Sequence, residues 1–590
     1  MPVHNVDAAK ALRQIGDLLD IQGANRFRVR AYQTAARNIE TLNQDVRDLV
    51  EQEQDLTEIP GVGKDIAEKI EQLVKTGKIT QLEELKQKLP SGLLELLAIE
   101  GLGPKRVKQL YEELDITSWE KLKAAAQEER IRKLEGFGPK LEQKLLKKIK
   151  NKSAQEQRVL RSEAKQVIEP FLEYLQNLSE VKQLAVAGSY RRKKETVGDV
   201  DILAVSEQGE QVGRKFVDYE DVSRIIQQGE TRSSVVFRTG LQVDLRVVSK
   251  DSFGAALQYF TGSRSHNIKL RQIAIDQGYK LNEYGLFEVE DNQSEPDAKE
   301  SDPKTTGKKA AGPNEEKIYQ KLGMDWIPPE IRENRGEIQA AQDKQLPELV
   351  ELNDIKGDLQ MHTKESDGIA SLEEMAEAAM DLGYEYIAIT DHSQNLKVAN
   401  GLDAKRFKQQ FAKIDQFNQE HQDFKILKSA EVDILKNGSL DLDEEILSQF
   451  DLIVCSIHSH FNLSETEQTE RIVTAMQSPY FNIFGHPSGR LINSREPYQF
   501  DWEQVLQAAK DNNCILELNA QPNRLDIDDA QANRAKEMDI KISLGTDAHQ
   551  PSGLNYMEFG VDQARRGWLE PEDIINTYSW SDLKELLSKN

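Results

Sequence analysis

Residues 188–203 read Gly188-Ser-Tyr-Arg-Arg192-Lys-Lys-Glu-Thr-Val-Gly198-Asp199-Val-Asp201-Ile-Leu203, and their pattern predicts the fold of this part of the chain. The apolar residues that alternate with the two acids and follow them predict a β-strand, in which residues two apart point to the same face. Asp199 and Asp201 therefore project side by side. Because two adjacent carboxylates repel each other unless cations lie between them, the pattern predicts a metal site on the face of a sheet.

A third carboxylate, Asp244, lies in the apolar run Val243-Asp244-Leu245. A mid-strand position is unfavourable for an unpaired charge. On a neighbouring strand, Asp244 would complete a site for two divalent ions, and oxygen ligands favour Mg²⁺ or Mn²⁺. Such a pair of ions serves phosphoryl or nucleotidyl transfer. In the motif upstream, Ser189 would hydrogen-bond a triphosphate oxygen and Arg192 would supply positive charge to it.

A Gly-x-Gly motif recurs three times nearer the N-terminus, each time beside a helical pattern and followed closely by a lysine. Glycines in such turns permit positive φ angles and the close approach of a ligand, and the N-terminus of the following helix attracts a phosphate. Contacts of this kind position DNA without reading its sequence. The motifs predict helix-hairpin-helix DNA-binding elements, with contacts at Gly61, Gly63, Gly101, Gly103, Gly136 and Gly138.

Residues 1–345 resemble the family X DNA polymerases, on the palm motifs above and on Tyr259-Phe260-Thr-Gly-Ser263. The resemblance implies that Tyr259 and Phe260 crowd the sugar and disfavour a 2′-hydroxyl. It implies that the three aspartates are the catalytic and metal-binding triad, with Asp244 as the base for the primer hydroxyl. The nucleotide-binding residues that it implies are Arg161, Gly188, Ser189, Arg192, Tyr259, Phe260, Gly262, Asn267 and Arg271.

Gln242 and Lys69 lie at two further positions that this resemblance makes informative. Gln242 departs from the arginine that many family members carry beside the third aspartate. Lys69 falls at the Schiff-base position of the family's deoxyribose-phosphate lyase domain, and Arg28 and Tyr32 fall near its 5′-phosphate site. An amine forms an imine only when it is unprotonated. Lyase activity at Lys69 is therefore one expectation, and an exposed helix lysine without such a role is the alternative.

The C-terminal part of the chain is rich in histidine, because seven of the nine histidines follow residue 355. Most of them lie in compact motifs at the ends of predicted strands that alternate with helices, a pattern that suggests a parallel α/β domain. Ligands at the ends of successive barrel strands converge on one mouth of the barrel. Histidine with carboxylate suits Mn²⁺, Zn²⁺ or Fe²⁺ better than Mg²⁺, and such a cluster can hydrolyse a phosphoester.

Residues 350–575 resemble the polymerase and histidinol phosphatase (PHP) superfamily. Gln360 stands where the family's first His-x-His motif begins, and an amide oxygen coordinates a metal more weakly than imidazole does. The resemblance therefore implies two to three Mn²⁺ or Zn²⁺ ions. The metal ligands that carry over are His362, Asp367, His392, Glu431, His458, His486, Asp547 and His549.

The bulk composition is compatible with this interpretation. The chain has 590 residues and a net charge of −24, but the acidity belongs to the C-terminal half, and basic clusters such as residues 26–30 lie in the first half. Local clusters decide phosphate binding. Two cysteines give no disulfide framework, and no apolar run approaches ~18 residues. We therefore expect a cytoplasmic protein without a membrane segment.

The expected fold class is multidomain α+β and α/β: a helical helix-hairpin-helix region, a nucleotidyltransferase palm sheet and a C-terminal distorted (β/α) barrel. The expected domains are a lyase-like domain at 1–85, helix-hairpin-helix fingers at 86–150, a palm at 151–250, a thumb at 251–345 with a flexible insertion at 289–316, and a PHP domain at 346–590.

The expected function is gap-filling DNA synthesis in base-excision or break repair, on gapped or nicked DNA with dNTPs. The PHP domain would act as a 3′–5′ exonuclease and as a 3′-end-processing or abasic-site nuclease. Three alternatives remain open at this point. They are a small-molecule phosphatase with an inert DNA-binding half, a non-catalytic DNA-repair scaffold, and a polymerase whose PHP domain is crippled at Gln360.

Overall fold

A computed structural model describes residues 5–40, 42, 46–90, 92–97, 99, 102–139, 141–143, 145–146, 158–289 and 307–588. The contacts divide the chain into two compact units. The first consists of Met1–Ala185 with Thr196–Val248, and the second of Val186–Glu195 with Ser249–Asn590.

The N-terminal part of the first unit is helical. Its helices bury apolar residues at helical spacing; Ile66, Ala67, Ile70 and Leu73, for example, line one face of a single helix. They surround two separate hydrophobic cores, in agreement with the all-helical prediction. The helices are α1 (Asn5–Ile21), α2 (Arg26–Glu40), α3 (Val46–Glu51), α4 (Lys64–Thr76), α5 (Thr80–Lys88), α6 (Gly92–Leu97), α7 (Pro104–Leu114) and α8 (Trp119–Gln127).

The remainder of the first unit is built on a sheet. The helices here are α9 (Arg161–Gln176), α10 (Gly188–Arg191, which belongs to the second unit) and α11 (Gly209–Val217). The strands are β1 (Val159–Leu160), β2 (Gln183–Val186), β3 (Thr196–Val197), β4 (Asp199–Val205), β5 (Val222–Gln227), β6 (Arg232–Phe237) and β7 (Gln242–Val248). Five of them form a sheet of order β2-β4-β7-β6-β5, in which β4 and β7 are parallel neighbours. Phe171 of α9 packs on Phe216 and Phe237, which fixes helices against the sheet.

The second unit begins with a small α+β region. It contains a sheet of order β10-β9-β8 packed on helices. Its helices are α12 (Phe253–Thr261), α13 (Arg264–Asp276), α14 (Glu315–Lys321) and α15 (Glu337–Asp343), and its strands are β8 (Tyr279–Asn282), β9 (Gly285–Glu288) and β10 (Lys309–Ala311).

The expected flexible insertion at 289–316 is only partly covered by the structure. Residues 290–306 lie outside the described residues. Within 307–316, β10 pairs with β9 and α14 begins at Glu315, so this part of the segment has regular structure. The buried Ala311 explains why: it adds to the core beneath the small sheet.

A seven-stranded parallel sheet of order β11 to β17 forms the C-terminal domain and confirms the predicted barrel. An isolated bridge between Met361 and Ala548 brings its first strand beside the end of its last. Its strands are β11 (Gly357–Met361), β12 (Tyr386–Ile389), β13 (Lys425–Asp433), β14 (Leu452–Ser456), β15 (Ile483–Phe484), β16 (Ile515–Asn519) and β17 (Ile542–Gly545). The helices that alternate with them or follow are α16 (Leu372–Asp381), α17 (Ala404–Glu420), α18 (Glu444–Leu447), α19 (Glu465–Met476), α20 (Trp502–Asp511), α21 (Asp529–Glu537), α22 (Met557–Arg566) and α23 (Trp580–Ser588).

Two further expectations concern cysteines and membranes. Cys455 lies within β14, and both Cys455 and Cys514 are buried free thiols. In the part of the chain that the structure describes, no helix is both long and apolar enough to span a bilayer.

Candidate active sites

The three palm carboxylates come together on two neighbouring strands. Asp199 and Asp201 lie on β4, and the β4–β7 register places Asp201 directly opposite Asp244. Burial, together with the negative charges of Asp199 and Asp244, raises the pKa of Asp201 to about 7. Because the nearby arginines Arg232 and Arg246 do not offset this effect, the site has room for further positive charge, which divalent cations would supply.

Asp244 is held by two hydrogen-bond donors. Gln242 Nε2 donates to its Oδ1 at 3.1 Å, and Arg232 Nη2 donates to its Oδ2 at 3.2 Å. Asp244 is only 4% exposed, so these bonds fix the orientation of a buried carboxylate. Arg232 comes from β6, the strand next to β7. A guanidinium thus lies beside the third aspartate although Gln242 replaces the arginine expected there.

The Gly-Ser motif forms the turn between β2 and the short helix α10. Gly188 has φ +65°, a conformation that favours glycine, and it opens the helix that carries Ser189. Arg192 follows the helix and points its guanidinium at two acceptors. Its Nη1 donates to the Thr261 carbonyl at 2.5 Å, and its Nε to Glu333 at 3.1 Å.

The Tyr-Phe-Thr-Gly-Ser motif ends helix α12. The rings of Tyr259 and Phe260 meet edge to face at 5.1 Å, and Gly262 ends the helix with φ +68°. Asn267 Nδ2 donates to the Tyr259 carbonyl at 2.6 Å, and Arg271 Nε donates to the Asn267 carbonyl at 3.3 Å. Hydrogen bonds therefore link three of these nucleotide-site candidates, Tyr259, Asn267 and Arg271, and Phe260 packs against Tyr259. Arg161, buried at the start of α9, belongs to the first unit.

The described glycines of the Gly-x-Gly motifs have the geometry of ligand-binding turns. Gly61 and Gly136 have φ of +74° and +78°. Gly63 and Gly103 are the residues before α4 and α7, and a β-carbon added at either, or at Gly138, would meet open space. Open space before a helix N-terminus leaves room for a phosphate. Gly101 lies outside the described residues.

Lys69 borders a cavity in the N-terminal helices. Its Nζ donates to Asp65 Oδ1 at 2.5 Å, and the Tyr32 hydroxyl donates to the other oxygen of Asp65 at 3.1 Å. The cavity has a volume of about 660 Å³, and its lining includes three cations, Arg28, Lys69 and Lys88, and two acids, Glu68 and Glu84. The charged side chains around the cavity therefore leave a small excess of positive charge.

The predicted ligands of the C-terminal domain converge at the carboxyl ends of the barrel strands. One ligand atom from each of His362, Asp367, His392 and His549 lies within 4.8 Å of the others. The same holds for His392, Glu431 and His458. Glu431 is the centre of the cluster, and its oxygens lie 3.4, 3.3, 3.2 and 2.9 Å from ring nitrogens of, in turn, His362, His392, His458 and His486.

Asp547 completes this cluster at 3.2 Å from His362 Nε2. Although burial opposes a charge on His362, the carboxylates around it raise its pKa to about 10. Both ring nitrogens of His362 and one oxygen of Glu431 are buried and form no hydrogen bond of normal geometry among the described residues, although carboxylate oxygens lie 3.2 and 3.4 Å from His362 Nε2. Buried polar atoms of this kind require a partner, and a set that mixes imidazoles with carboxylates fits a divalent metal. All eight predicted ligands thus lie in one cluster.

Gln360 and Glu517 lie close together beside Gly545 of β17, where an added β-carbon would meet both side chains. Both side chains are 1% exposed, and within the described residues neither the Gln360 amide nor Glu517 Oε1 finds a hydrogen-bond partner. Burial, with Asp547 and Glu431 nearby, raises the pKa of Glu517 well above its ordinary value. We did not predict Glu517 from the sequence, although a single acid in the apolar run Ile515-Leu-Glu517-Leu518 is the same signal that identified Asp244.

A second missed residue positions a ligand. Asp433, at the end of β13, lies 2.7 Å from His458 Nδ1, so it fixes the ring whose other nitrogen faces Glu431. Carboxylate–imidazole pairs of this kind orient metal-binding histidines.

Comparison with known families defines the class of protein. Family models of the DNA polymerase beta palm and thumb match residues 158–247 and 256–333, and the PHP domain matches 358–521. A helix-hairpin-helix domain matches 3–79 and a SAM-like helix-hairpin-helix tandem matches 93–151. The chain is thus a polymerase-beta-type nucleotidyltransferase joined to a PHP domain, and both kinds of domain generally use divalent metals.

A relative that matches over its full length identifies the family. The chain is 38% identical over 590 residues, 100% of each chain, to the DNA polymerase/3′-5′ exonuclease PolX of Bacillus subtilis (strain 168). It therefore belongs to the bacterial PolX family. A shorter match, 29% identical over 218 residues, covers 35% of this chain and 84% of a probable phosphatase of Thermoanaerobacter sp. (strain X514).

Proposed function

We propose that the chain is a DNA-directed DNA polymerase that fills short gaps during DNA repair. We propose further that its PHP domain is a 3′–5′ exonuclease that also processes 3′ ends or abasic sites. The observation that carries the proposal is the presence in one chain of a three-carboxylate palm site and a histidine–carboxylate barrel site. The polymerase and exonuclease activities for which the Bacillus subtilis relative is named support the same pairing. The substrates would be gapped or nicked DNA and dNTPs.

In the palm, Asp199, Asp201 and Asp244 would hold two Mg²⁺ or Mn²⁺ ions. The raised pKa of Asp201 supports this, because added positive charge would relieve the repulsion among the three carboxylates. When bound, such ions supply activation of the attacking hydroxyl and neutralisation of the leaving pyrophosphate. Asp244, oriented by Arg232 and Gln242, would accept the proton of the primer 3′-hydroxyl.

The incoming nucleotide would be bound by polar groups and restricted by two rings. Ser189 would donate to a triphosphate oxygen, and Arg192 would pair with its charge. Tyr259 and Phe260 would limit the space beside the sugar. The remaining nucleotide-contacting residues in this proposal are Arg161, Gly188, Gly262, Asn267 and Arg271.

In the barrel, the eight clustered side chains would hold two or three Mn²⁺ or Zn²⁺ ions. The buried nitrogens of His362 support this choice, because imidazole and carboxylate donors together suit these metals. When bound, the ions supply a nucleophilic water and charge stabilisation for phosphodiester hydrolysis. Asp433 would keep the His458 ring oriented throughout. Gln360 would offer an amide oxygen where a third ion needs a ligand.

The test uses a 5′-phosphorylated one-nucleotide gap with a labelled primer, Mn²⁺ and dNTPs. Wild type should insert one nucleotide, and Asp244→Asn should lose insertion while it still degrades the primer when dNTPs are omitted. Binding without either reaction would favour the scaffold alternative. Hydrolysis of small phosphomonoesters without action on DNA would favour the phosphatase alternative. The similarity of part of the chain to a probable phosphatase is the reason for including this test.

A second candidate activity is deoxyribose-phosphate lyase chemistry at Lys69. The cavity of about 660 Å³ beside Lys69 favours it, because Arg28 and Lys88 also line this cavity and a 5′-sugar phosphate needs both an amine and cationic partners. Borohydride should trap wild type on a preincised abasic site, and Lys69→Ala should not be trapped. Lys75→Ala, on the same helix and paired with Glu71, is the matched control. Equal trapping of both variants would exclude Lys69 as the nucleophile.

A further inference from the structure

The four residues after helix α10 contact the C-terminal domain. The segment Arg192–Glu195 lies in the sequence between the Gly-Ser motif and the first palm aspartate, and it groups with the second unit. Lys193 Nζ lies 3.4 Å from Asp562 on α22, and Glu195 accepts a hydrogen bond from Arg490 at 2.8 Å. The segment is thus anchored by side chains that belong to the barrel domain.

Arg566 at the end of α22 makes the most buried of these contacts. The residue is 3% exposed, and its Nη1 donates to the Arg192 carbonyl at 2.7 Å. The same nitrogen donates to the Glu330 carbonyl at 3.2 Å and lies 3.4 Å from Glu333. Its Nη2 donates to Asp529 on α21. The Arg566 guanidinium therefore has two links to Arg192. It bonds the Arg192 carbonyl directly, and it bonds Glu333, which accepts a hydrogen bond from the Arg192 side chain.

The charges around Arg192 leave an excess of positive charge. Glu333 lies within 3.4 Å of Arg192, Lys194 and Arg566. Although burial opposes ionisation, these three cations hold the pKa of Glu333 below its ordinary value. Asp529, near Arg566, is the second acid of the cluster. Because three cations (Arg192, Lys194 and Arg566) face two acids (Glu333 and Asp529), this cluster would attract a polyanion such as a triphosphate.

We propose that Arg566 is a positioning residue for nucleotidyl transfer. Arg566 bonds both the Arg192 carbonyl and Glu333, and so it keeps the Arg192 guanidinium at the Thr261 carbonyl. Thr261 directly follows Tyr259 and Phe260 in the chain. The barrel domain thereby sets the affinity of the polymerase for its nucleotide. This inference rests on the role proposed above for Arg192 in binding the triphosphate.

Neighbouring Arg565 provides a matched control. It lies on the same helix and bonds Glu330 at 3.0 Å and the Val350 carbonyl at 2.9 Å. It thus links α22 to the same thumb segment, and these hydrogen bonds go to Glu330 and Val350 instead of to the Arg192 carbonyl. Loss of Arg565 should disturb this interface as loss of Arg566 does, while the Arg192 backbone keeps its partner.

The experiment measures single-nucleotide insertion by the full-length protein on gapped DNA and, separately, degradation of a single-stranded oligonucleotide. We expect Arg566→Ala to raise KM for the dNTP by about 10-fold, with less effect on kcat, since misplacement of a binding group weakens its contacts. Arg566→Lys should recover part of the loss. Arg565→Ala should leave KM for the dNTP within about 2-fold of wild type, and degradation should be unchanged in all variants.

Equal KM values for Arg566→Ala and Arg565→Ala would overturn the proposal, as would parallel loss of insertion and degradation in a folded Arg566→Ala. If Arg566→Ala does not fold, as judged by thermal unfolding, Arg566→Lys and Asp562→Asn decide. At least one of these two must raise KM for the dNTP, and unchanged values in both would overturn the proposal. A wild type that never inserts a nucleotide would instead refute the proposed polymerase function.

Discussion

The palm site and the barrel site hold their carboxylates in different surroundings. The palm acids lie on two strands of an open sheet, where Asp199 is exposed and Asp244 is paired with an arginine. In the barrel, Glu431 is fully buried and surrounded by four imidazoles. The three palm acids would offer oxygen ligands on an exposed face, which suits hard ions such as Mg²⁺. The barrel residues would instead offer mixed imidazole and carboxylate ligands in an enclosed cluster, which suits ions such as Mn²⁺ or Zn²⁺.

The largest effect that separates the two sites is expected from Glu431→Gln. The change keeps the shape of the side chain but removes the negative charge that four histidines face. We expect exonuclease activity to fall by more than about 100-fold, with less bound Mn²⁺, while insertion on gapped DNA persists. Metal analysis by mass spectrometry and degradation of a labelled oligonucleotide measure this. Unchanged metal content would contradict a central role for Glu431.

A smaller effect on the barrel is expected from Asp433→Asn. This change weakens the bond that orients His458 without removing a proposed ligand. Exonuclease activity should fall by roughly 10- to 100-fold, the range typical of residues that orient metal ligands. Asp423→Asn, at an exposed loop position, is the control. If the two variants are equally active, orientation of His458 by Asp433 is unimportant.

In the palm, Arg232→Ala removes a residue that orients a site carboxylate, as Asp433→Asn alters one that orients a histidine in the barrel. The variant leaves Gln242 as the donor to Asp244 and removes the nearby positive charge. Since hydrogen bonds to charged groups are stronger than neutral ones, we expect kcat for insertion to fall about 10-fold, with KM for the dNTP little changed. Arg224→Ala, exposed on the edge strand β5, should have no effect. A rise in KM alone would place Arg232 at the nucleotide instead.

The smallest expected effect is a gain, from Gln360→His. An imidazole at this buried position would replace an unpartnered amide beside the cluster. We expect the affinity of the barrel for its weakest Mn²⁺ to rise by about 3-fold, measured by titration calorimetry. Weaker Mn²⁺ binding in the variant would show that the space beside Glu517 cannot accept an imidazole ring.

Local sequence patterns predicted most of the fold and the grouping of the site residues. Asp199 and Asp201 could be paired because strand residues two apart share a face, and the β4–β7 register then brought Asp244 beside them. The barrel ligands could be grouped because parallel strands end at one mouth. The roles of these residues remain predictions, since geometry alone does not measure them.

What the sequence could not predict depends on long-range pairing. Arg232 reaches Asp244 through the register of β6 with β7, which no local pattern specifies. Arg566 meets Arg192 across 374 positions of the chain. The strand Lys309–Ala311 lies in a segment of polar composition and is stabilised by its pairing with β9. Its own sequence therefore did not predict it.

Wild type and two double variants should be compared in one reaction on a 5′-phosphorylated one-nucleotide gap with a labelled primer, run with and without dNTPs. We expect Asp199→Ala/Asp201→Ala to abolish extension and retain degradation, and His362→Ala/His392→Ala to abolish degradation and retain extension. Loss of both reactions in either folded variant would contradict the presence of two separate catalytic sites in the chain.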